Sequence, residues 1–313
     1  MRYTGLLLDQ VRRSTENVEF TENSGIGNNE LLEYINDAQV EIQSAISRTH
    51  PQVFQVEKIQ NVVSNQEGYA LPEDAFLGNM VDLVEYSHSG LLDGYFQLKQ
   101  GRLPERVNGP VYTSPSFYIR RSGTLLLQPT PSDATGKLRI TYQRTIPTID
   151  LRRGKVSAVT LTANSITSLT LDTTLEIDET ILESEAYASI VDKDGNVQMR
   201  RIPISDIDVN TGIVTVTPGF TFDSGETISV GDWIVKGRDA SSHSQLALVC
   251  ERYLVQYVIW KILKRDSSGD SAEAAEELKM LQGSIVDSFS EPDGDVQSIP
   301  LTDDQYLRHD GYY

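Results

Sequence analysis

A carboxylate-rich run is the first place in this sequence where chemistry could reside. Asp192-Lys193-Asp194-Gly195-Asn196 opens like a calcium loop, but a calcium-binding helix-loop-helix needs glycine at its sixth position and glutamate at its twelfth. Counted from Asp192, glycine comes fourth and Pro203 stands twelfth, so the run reads as a hairpin turn built on Asp-Gly. Gly25-Ile26-Gly27 lacks the third glycine, the Gly-Lys-Ser/Thr and the preceding strand of a phosphate loop, and reads as a loop feeding a helix. The single cysteine, Cys250, excludes an internal disulfide and a cysteine-based zinc site. It falls on the apolar face of a predicted helix, which implies a buried, inert thiol. Four scattered histidines, His50, His88, His243 and His309, give no histidine-rich metal centre. No Gly-x-Ser-x-Gly elbow occurs, and nothing in the spacing of the 45 acids singles out a glycosidase pair. The sequence assigns no catalytic residue, no metal ligand and no cofactor, and no enzyme is expected.

The 313 residues are about twice the ~150-residue domain norm, so one large domain or a core with an insert is expected. Hydrophobic content of 39% and charged content of 23% are those of an ordinary globular protein. The net charge of −18 makes the chain a poor grip for nucleic acid, because such binding uses Lys and Arg to displace counterions from phosphate. Four dibasic pairs, Arg12-Arg13, Arg120-Arg121, Arg152-Arg153 and Arg200-Arg201, are dispersed among acids. They read as solvated surface or as salt bridges between subunits. The N-terminus carries only three consecutive leucines, too few for a signal-peptide core. No apolar run approaches the ~18 residues of a membrane span. A soluble product of a reducing compartment is expected, with no membrane contact.

The elements that must carry these residues are of three kinds, and the fold class is α+β. Leu6, Leu7, Leu8 and Val11 form a short helical stripe ending near Ser14, and a polar loop covers 21–29. A second helix starts at Asn28 or Asn29, either able to cap it, and buries Leu31, Ile35, Ala38, Ile42 and Ala45 before Pro51 closes it. Short strands follow at 60–64, around Tyr69-Ala70-Leu71, and at 80–86. Two further arms, 124–128 and 137–143, are joined through Pro129-Thr130-Pro131-Ser132-Asp133. In the second, Leu138, Ile140 and Tyr142 alternate with Arg139, Thr141 and Gln143, giving one apolar and one wet face.

Residues 155–236 are rich in Thr, Val, Ile and Asp. Turn signals recur at Asp194-Gly195-Asn196, Asn210-Thr211-Gly212, Asp223-Ser224-Gly225 and Val230-Gly231-Asp232. Even spacing of this kind predicts a small barrel or sandwich, read as an inserted β domain over 151–238. Helix resumes after the capping pair Ser241-Ser242, spanning about 245–264 with Tyr253, Tyr257 and Trp260 on a broad apolar stripe that forms bundle core. A linker at 266–270 leads to a last helix, Ser271 to about Phe289. The domain plan is therefore 1–150 for helices and β region, 151–238 for the insert, 239–290 for the returning helices and 291–313 for an extended C-terminal arm. That arm is acidic yet carries Pro300, Tyr306, Leu307, Tyr312 and Tyr313. Aromatics with no core to join read as docking residues that a partner surface orders.

Two stretches together resemble a known family. Asn29-Glu30-Leu31-Leu32-Glu33-Tyr34-Ile35-Asn36-Asp37-Ala38-Gln39 is similar to the Leu-x-x-Tyr-Ile-Asn-x-Ala-Gln helix of head-to-tail adaptor (head-completion, or connector) proteins of tailed phages, especially short-tailed ones. Tyr69-Ala70-Leu71-Pro72-Glu73-Asp74, Pro115-Ser116-Phe117-Tyr118 and Leu125-Leu126-Leu127-Gln128-Pro129-Thr130-Pro131 follow in the family's order, then the arm ending in Tyr142 and Pro147. The resemblance covers roughly 1–150 and 240–290, and 155–236 is extra to the smaller adaptors. It implies a virion protein at the head-tail junction, forming a homo-oligomeric ring, usually of twelve copies, beneath the portal protein. Such a ring extends the DNA channel, presents a platform for the tail nozzle and serves head completion and genome ejection. DNA would pass without specific binding, the C-terminal segment would run along or into the portal, and the β insert would be free to contact tail fibres. Two competing readings are a tail, baseplate or fibre-anchor component and, further off, a cell-wall glycan hydrolase.

Overall fold

The computed structural model describes residues 2–14, 27–76, 80–88, 94–102, 114–121, 123–132, 135–162, 165–178, 187–221, 226–265 and 270–290. The expected arm with Pro300, Tyr306, Leu307, Tyr312 and Tyr313 lies outside the described residues, as do His309, Gly25, Ile26 and the 223–225 turn signal.

Helices α1 (Thr4–Ser14), α2 (Asn28–Thr49), α3 (Glu251–Arg265) and α4 (Ser271–Ser288) share one core. The 3–4 spacing read from α2 is real: Leu31, Ile35, Ala38 and Ile42 are buried, and Ile46 continues the stripe where Ala45 was expected. Each fully buried Leu or Ile contributes roughly 1.5–3 kcal/mol. The expected asparagine cap is replaced by Gly27, which makes no side-chain cap bond. Asn28 and Asn29 instead accept hydrogen bonds from Arg12 and Arg153. Helix α3 begins later than predicted, after a single 3-10 turn at Leu248–Cys250. Ser241 and Ser242 do not cap it because both are engaged elsewhere. Ser241 lies in a strand and donates to Gly195 O, and the Ser242 carbonyl accepts from Thr4. Tyr253 and Tyr257 are buried in this core and Trp260 packs against its side.

The β region forms two four-stranded sheets. One is ordered β1-β8-β3-β4, with β1 at Gln55–Asn61, β3 at Val81–Ser87, β4 at Tyr95–Gln97 and β8 at Lys137–Gln143. The other is β2-β7-β6-β5, with β2 at Gly68–Ala70, β5 at Lys99–Gln100, β6 at Phe117–Arg121 and β7 at Thr124–Gln128. The ranges of β7 and β8 match the two predicted arms, but the arms do not pair. They belong to different sheets, and the proline-rich connection crosses between them. Leu138, Ile140 and Tyr142 face the core as their alternation required, joined by a buried Gln143. The strand predicted at 60–64 ends at Asn61, where Val62 donates to Gly136 O and a turn takes Asn65 to positive φ.

Residues 154–236 close into a six-stranded barrel ordered β10-β11-β14-β13-β12-β15. Its strands are β10 (Gly154–Thr162), β11 (Ser165–Leu171), β12 (Tyr187–Val191), β13 (Val197–Asp208), β14 (Ile213–Val216) and β15 (Trp233–Lys236). Val156, Leu169, Ile190, Met199, Ile202, Val214 and Ile234 fill it. Closure removes free strand edges, which an open sheet would leave available for pairing. At the barrel's root a parallel pair joins β9 (Thr148–Ile149) to β16 (Ala240–Ser241), so entry and exit segments lie side by side.

Candidate assembly site at the root of the barrel

Two short segments carry the chain into and out of the barrel, Leu151-Arg152-Arg153 and Gly237-Arg238-Asp239, and the charged residues converge there. Arg153 is only 4% exposed. Its guanidinium grips Asp150 with two bonds, Nε to Oδ2 at 3.0 Å and Nη2 to Oδ1 at 2.6 Å. Nη1 reaches Asp178, seven residues past the end of β11, and Nη2 reaches Asn29 at the start of α2. Asp150 Oδ2 also accepts the backbone N–H of Lys236 at 2.8 Å. One arginine thereby ties the helical core, the entry segment and the barrel together. Burial works against its charge, but the hydrogen bonds and charges of Asp150 and Asp178 outweigh it and hold it firmly protonated.

The neighbouring arginines act in the same joint. Arg152 lies between two rings, 4.9 Å from the Tyr3 centroid and 4.8 Å from that of Trp233, and donates to Lys193 O. Arg200 pairs with Asp239 at 2.8 Å, Arg201 with Glu73 at 3.0 Å, and Arg238 stacks on Tyr187. The reading of these dibasic pairs as solvated or intersubunit charge is corrected at Arg153, which is buried, whereas Arg200 and Arg201 stay about one-third exposed and pair within the subunit. Arg201 even occupies the left-handed region, φ 58°, while its N–H bonds Arg238 O.

A cleft of about 570 Å³ opens beside the joint, lined among others by Asn29, Asn36, Asp74, Arg153, Lys236 and Asp239. Four of its five acids are engaged: Asp150, Asp239 and Glu73 each pair with an arginine, and Asp74 accepts from the Tyr142 hydroxyl, while Glu33 is exposed at the cleft's edge.

On the far side of the root, the Asp192–Asn196 loop is the hairpin turn its sequence predicted, closing the Val191–Val197 pair. The Asp192 carboxylate accepts the N–H groups of Asp194 and Asn196 and the Asn196 amide. Although partial burial opposes it, these bonds hold its pKa below the ordinary value. Under the loop sits His243, with Nδ1 3.0 Å from Ser242 Oγ and its ring on Tyr3. Cys250 is buried and burial pushes its thiol up to about 11, as an inert core cysteine requires. Among the described residues no cluster of His, Cys, Asp and Glu is arranged to hold a metal ion, and no helix is long and apolar enough to cross a membrane.

The sequence missed the Asp150–Arg153–Asp178 set. Its legible trace was an i, i+3 Asp/Arg pair directly ahead of a barrel strand. Asp178 comes 25 residues later, and its part could not be read. The expected docking residues Pro300, Tyr306, Leu307, Tyr312 and Tyr313 are not among the described residues, so none is brought to this joint.

The family model described as SU10 adaptor protein matches residues 1–184, and the chain belongs to that family of phage structural adaptors. The match covers α1, α2, the β region and the first two barrel strands, and it stops before β12. No curated protein matches this sequence.

Proposed function

We propose that the protein is a ring-forming adaptor at the head-tail junction of a short-tailed phage, seated between the portal and the tail nozzle. The family match over residues 1–184 carries this reading. The build of the molecule supports it: helix α2 and the entry segment are fastened to the barrel by a buried, multiply bonded arginine, suiting a part that bears load. In this reading 1–150 and 239–290 are the adaptor body and 151–238 is an added β domain open to tail fibres. The arm 291–313 docks on the portal through Pro300, Tyr306, Leu307, Tyr312 and Tyr313. A net charge of −18 lets DNA slide through the channel with few cations to hold it, during head completion and genome ejection.

The test is imaging of intact particles with the barrel labelled, paired with removal of residues 291–313 before mixing with purified portal rings. Label at the neck and loss of portal association on truncation are expected. Label far from the neck would overturn the location, and undiminished association would overturn the role of the arm.

A further inference from the structure

The helical core leaves two flanks uncovered among the described residues. Helices α1 and α4 both pack on α3 and α2, but they meet α3 on different sides. Arg2, beside α1, bonds Glu251, whereas Glu277 of α4 takes hydrogen bonds from Arg252 and Gln256. Adjacent residues lie about 100° apart around a helix, so the two contacts diverge.

Among the exposed residues of α4, Glu273, Glu276, Met280, Gly283, Ser284 and Asp287 stack at 3–4 spacing on one face, with the exposed Lys279 at its edge. Met280 is 70% exposed. Gly283 stands mid-helix, where glycine is a poor choice. Among the described residues nothing lies within 4 Å of the place a Cβ would occupy there. Packing of the described residues does not require this glycine, whereas close approach of a partner backbone would. On α1, Leu6 is 51% exposed and Arg13 lies seven residues on, along the same face. Asp9 between them is compensated by Arg12 at 3.7 Å, leaving Arg13 as the cation of that face.

The two faces match in spacing and sign. Leu6 to Arg13 and Met280 to Glu273 are each seven residues, about 10 Å along the axis. We propose that α1 of one subunit packs antiparallel on α4 of the next, Leu6 against Met280 and Arg13 against Glu273 and Glu276, with Gly283 admitting the approach. The occupant of both flanks is a second copy of this chain. The contact joins two different surfaces, so rotation repeats it around a closed ring. The inference rests on the ring reading above and names its subunit contact.

The test introduces Leu6→Cys and Met280→Cys together in the full-length chain and oxidises it, while native mass spectrometry reports assembly of the unmodified chain. Both sites are exposed and the native Cys250 is buried, so background linkage is low. A ladder of covalent multimers is expected from the double variant, and no species beyond dimers from either single one. Arg13→Glu lowers the assembled fraction by roughly tenfold or more, and adding Glu273→Arg to the same chain restores it, because each subunit supplies both flanks. Assembly that persists without the ladder and ignores Arg13→Glu overturns this contact and leaves the ring reading standing. A chain that is unlinked in purified particles overturns this contact, and purified particles that show no ring of this protein at the neck overturn the ring reading as well.

Discussion

The barrel and the helical core satisfy themselves differently. In the barrel every strand has two neighbours and the sheet closes on itself. At its tightest turns a Cβ on Gly195 would fall 2.2 Å from His243 Nδ1, and one on Gly212 2.6 Å from Leu171 O. These glycines answer to atoms of the same subunit. In the helical core no described residue approaches Gly283, and Met280 and Leu6 are exposed among the described residues. In the proposal above the barrel is finished within one chain and the helical flanks are completed by a neighbouring copy. Between them stands Arg153, bonded to both modules.

The largest expected effect breaks that link. Arg153→Ala leaves Asp150 buried and stripped of its guanidinium partner, and losing one member of a buried pair costs about 3–5 kcal/mol. Arg153→Lys retains the charge but cannot grip Asp150 with two bonds, so an intermediate loss is expected. Urea denaturation of the full chain measures both. If the alanine variant unfolds within about 0.5 kcal/mol of the parent, the joint is not what couples the two modules.

The glycines sharpen the contrast, because the same substitution has opposite signs in the two regions. Gly195→Ala meets a positive φ of 84° and the His243 ring, and a loss above about 1 kcal/mol is expected. Gly283→Ala meets open space on a helix and stabilises the isolated subunit by about 1 kcal/mol. Thermal unfolding of the two variants beside the parent reads both signs at once. Destabilisation by Gly283→Ala would mean that the subunit itself uses the glycine.

Local rules made much of this molecule legible. The α2 stripe, the β7 and β8 ranges and the Asp192 turn follow from spacing and turn chemistry within a dozen residues. What escaped was non-local. Tertiary pairing separated β7 from β8 into different sheets, though their linker looked like a hairpin. Ser241 and Ser242 look like caps until β9 and Thr4 claim them. The joint was hidden for the same reason: Asp150 and Arg153 are neighbours, but Asp178, Lys236 and Asn29 arrive from three distant parts of the chain. A single arginine in a dibasic pair gives no sign that it is buried until the fold surrounds it.

The smallest effect lies in pH, at His243 where the two regions touch. Burial lowers its pKa first, and the nearby Arg152 charge lowers it further, while Asp194 and Asp192 pull weakly the other way. The Tyr3 ring and Ser242 Oγ complete its surroundings. Its folded pKa is therefore below the unfolded value near 6.5. As pH falls through about 6.5 the unfolded chain takes up a proton first, so stability present above that pH is lost below it, levelling off once the folded imidazole also protonates. Asp192 has a depressed pKa too and drives a second loss, but only in the carboxylate range. The two steps are thus separable along the pH axis. His243→Gln is expected to flatten the denaturation midpoint between pH 7 and 5 and leave the acid step intact. A His243→Gln profile that still falls in the upper window would place the titrating group elsewhere and remove this histidine from the seam between barrel and core.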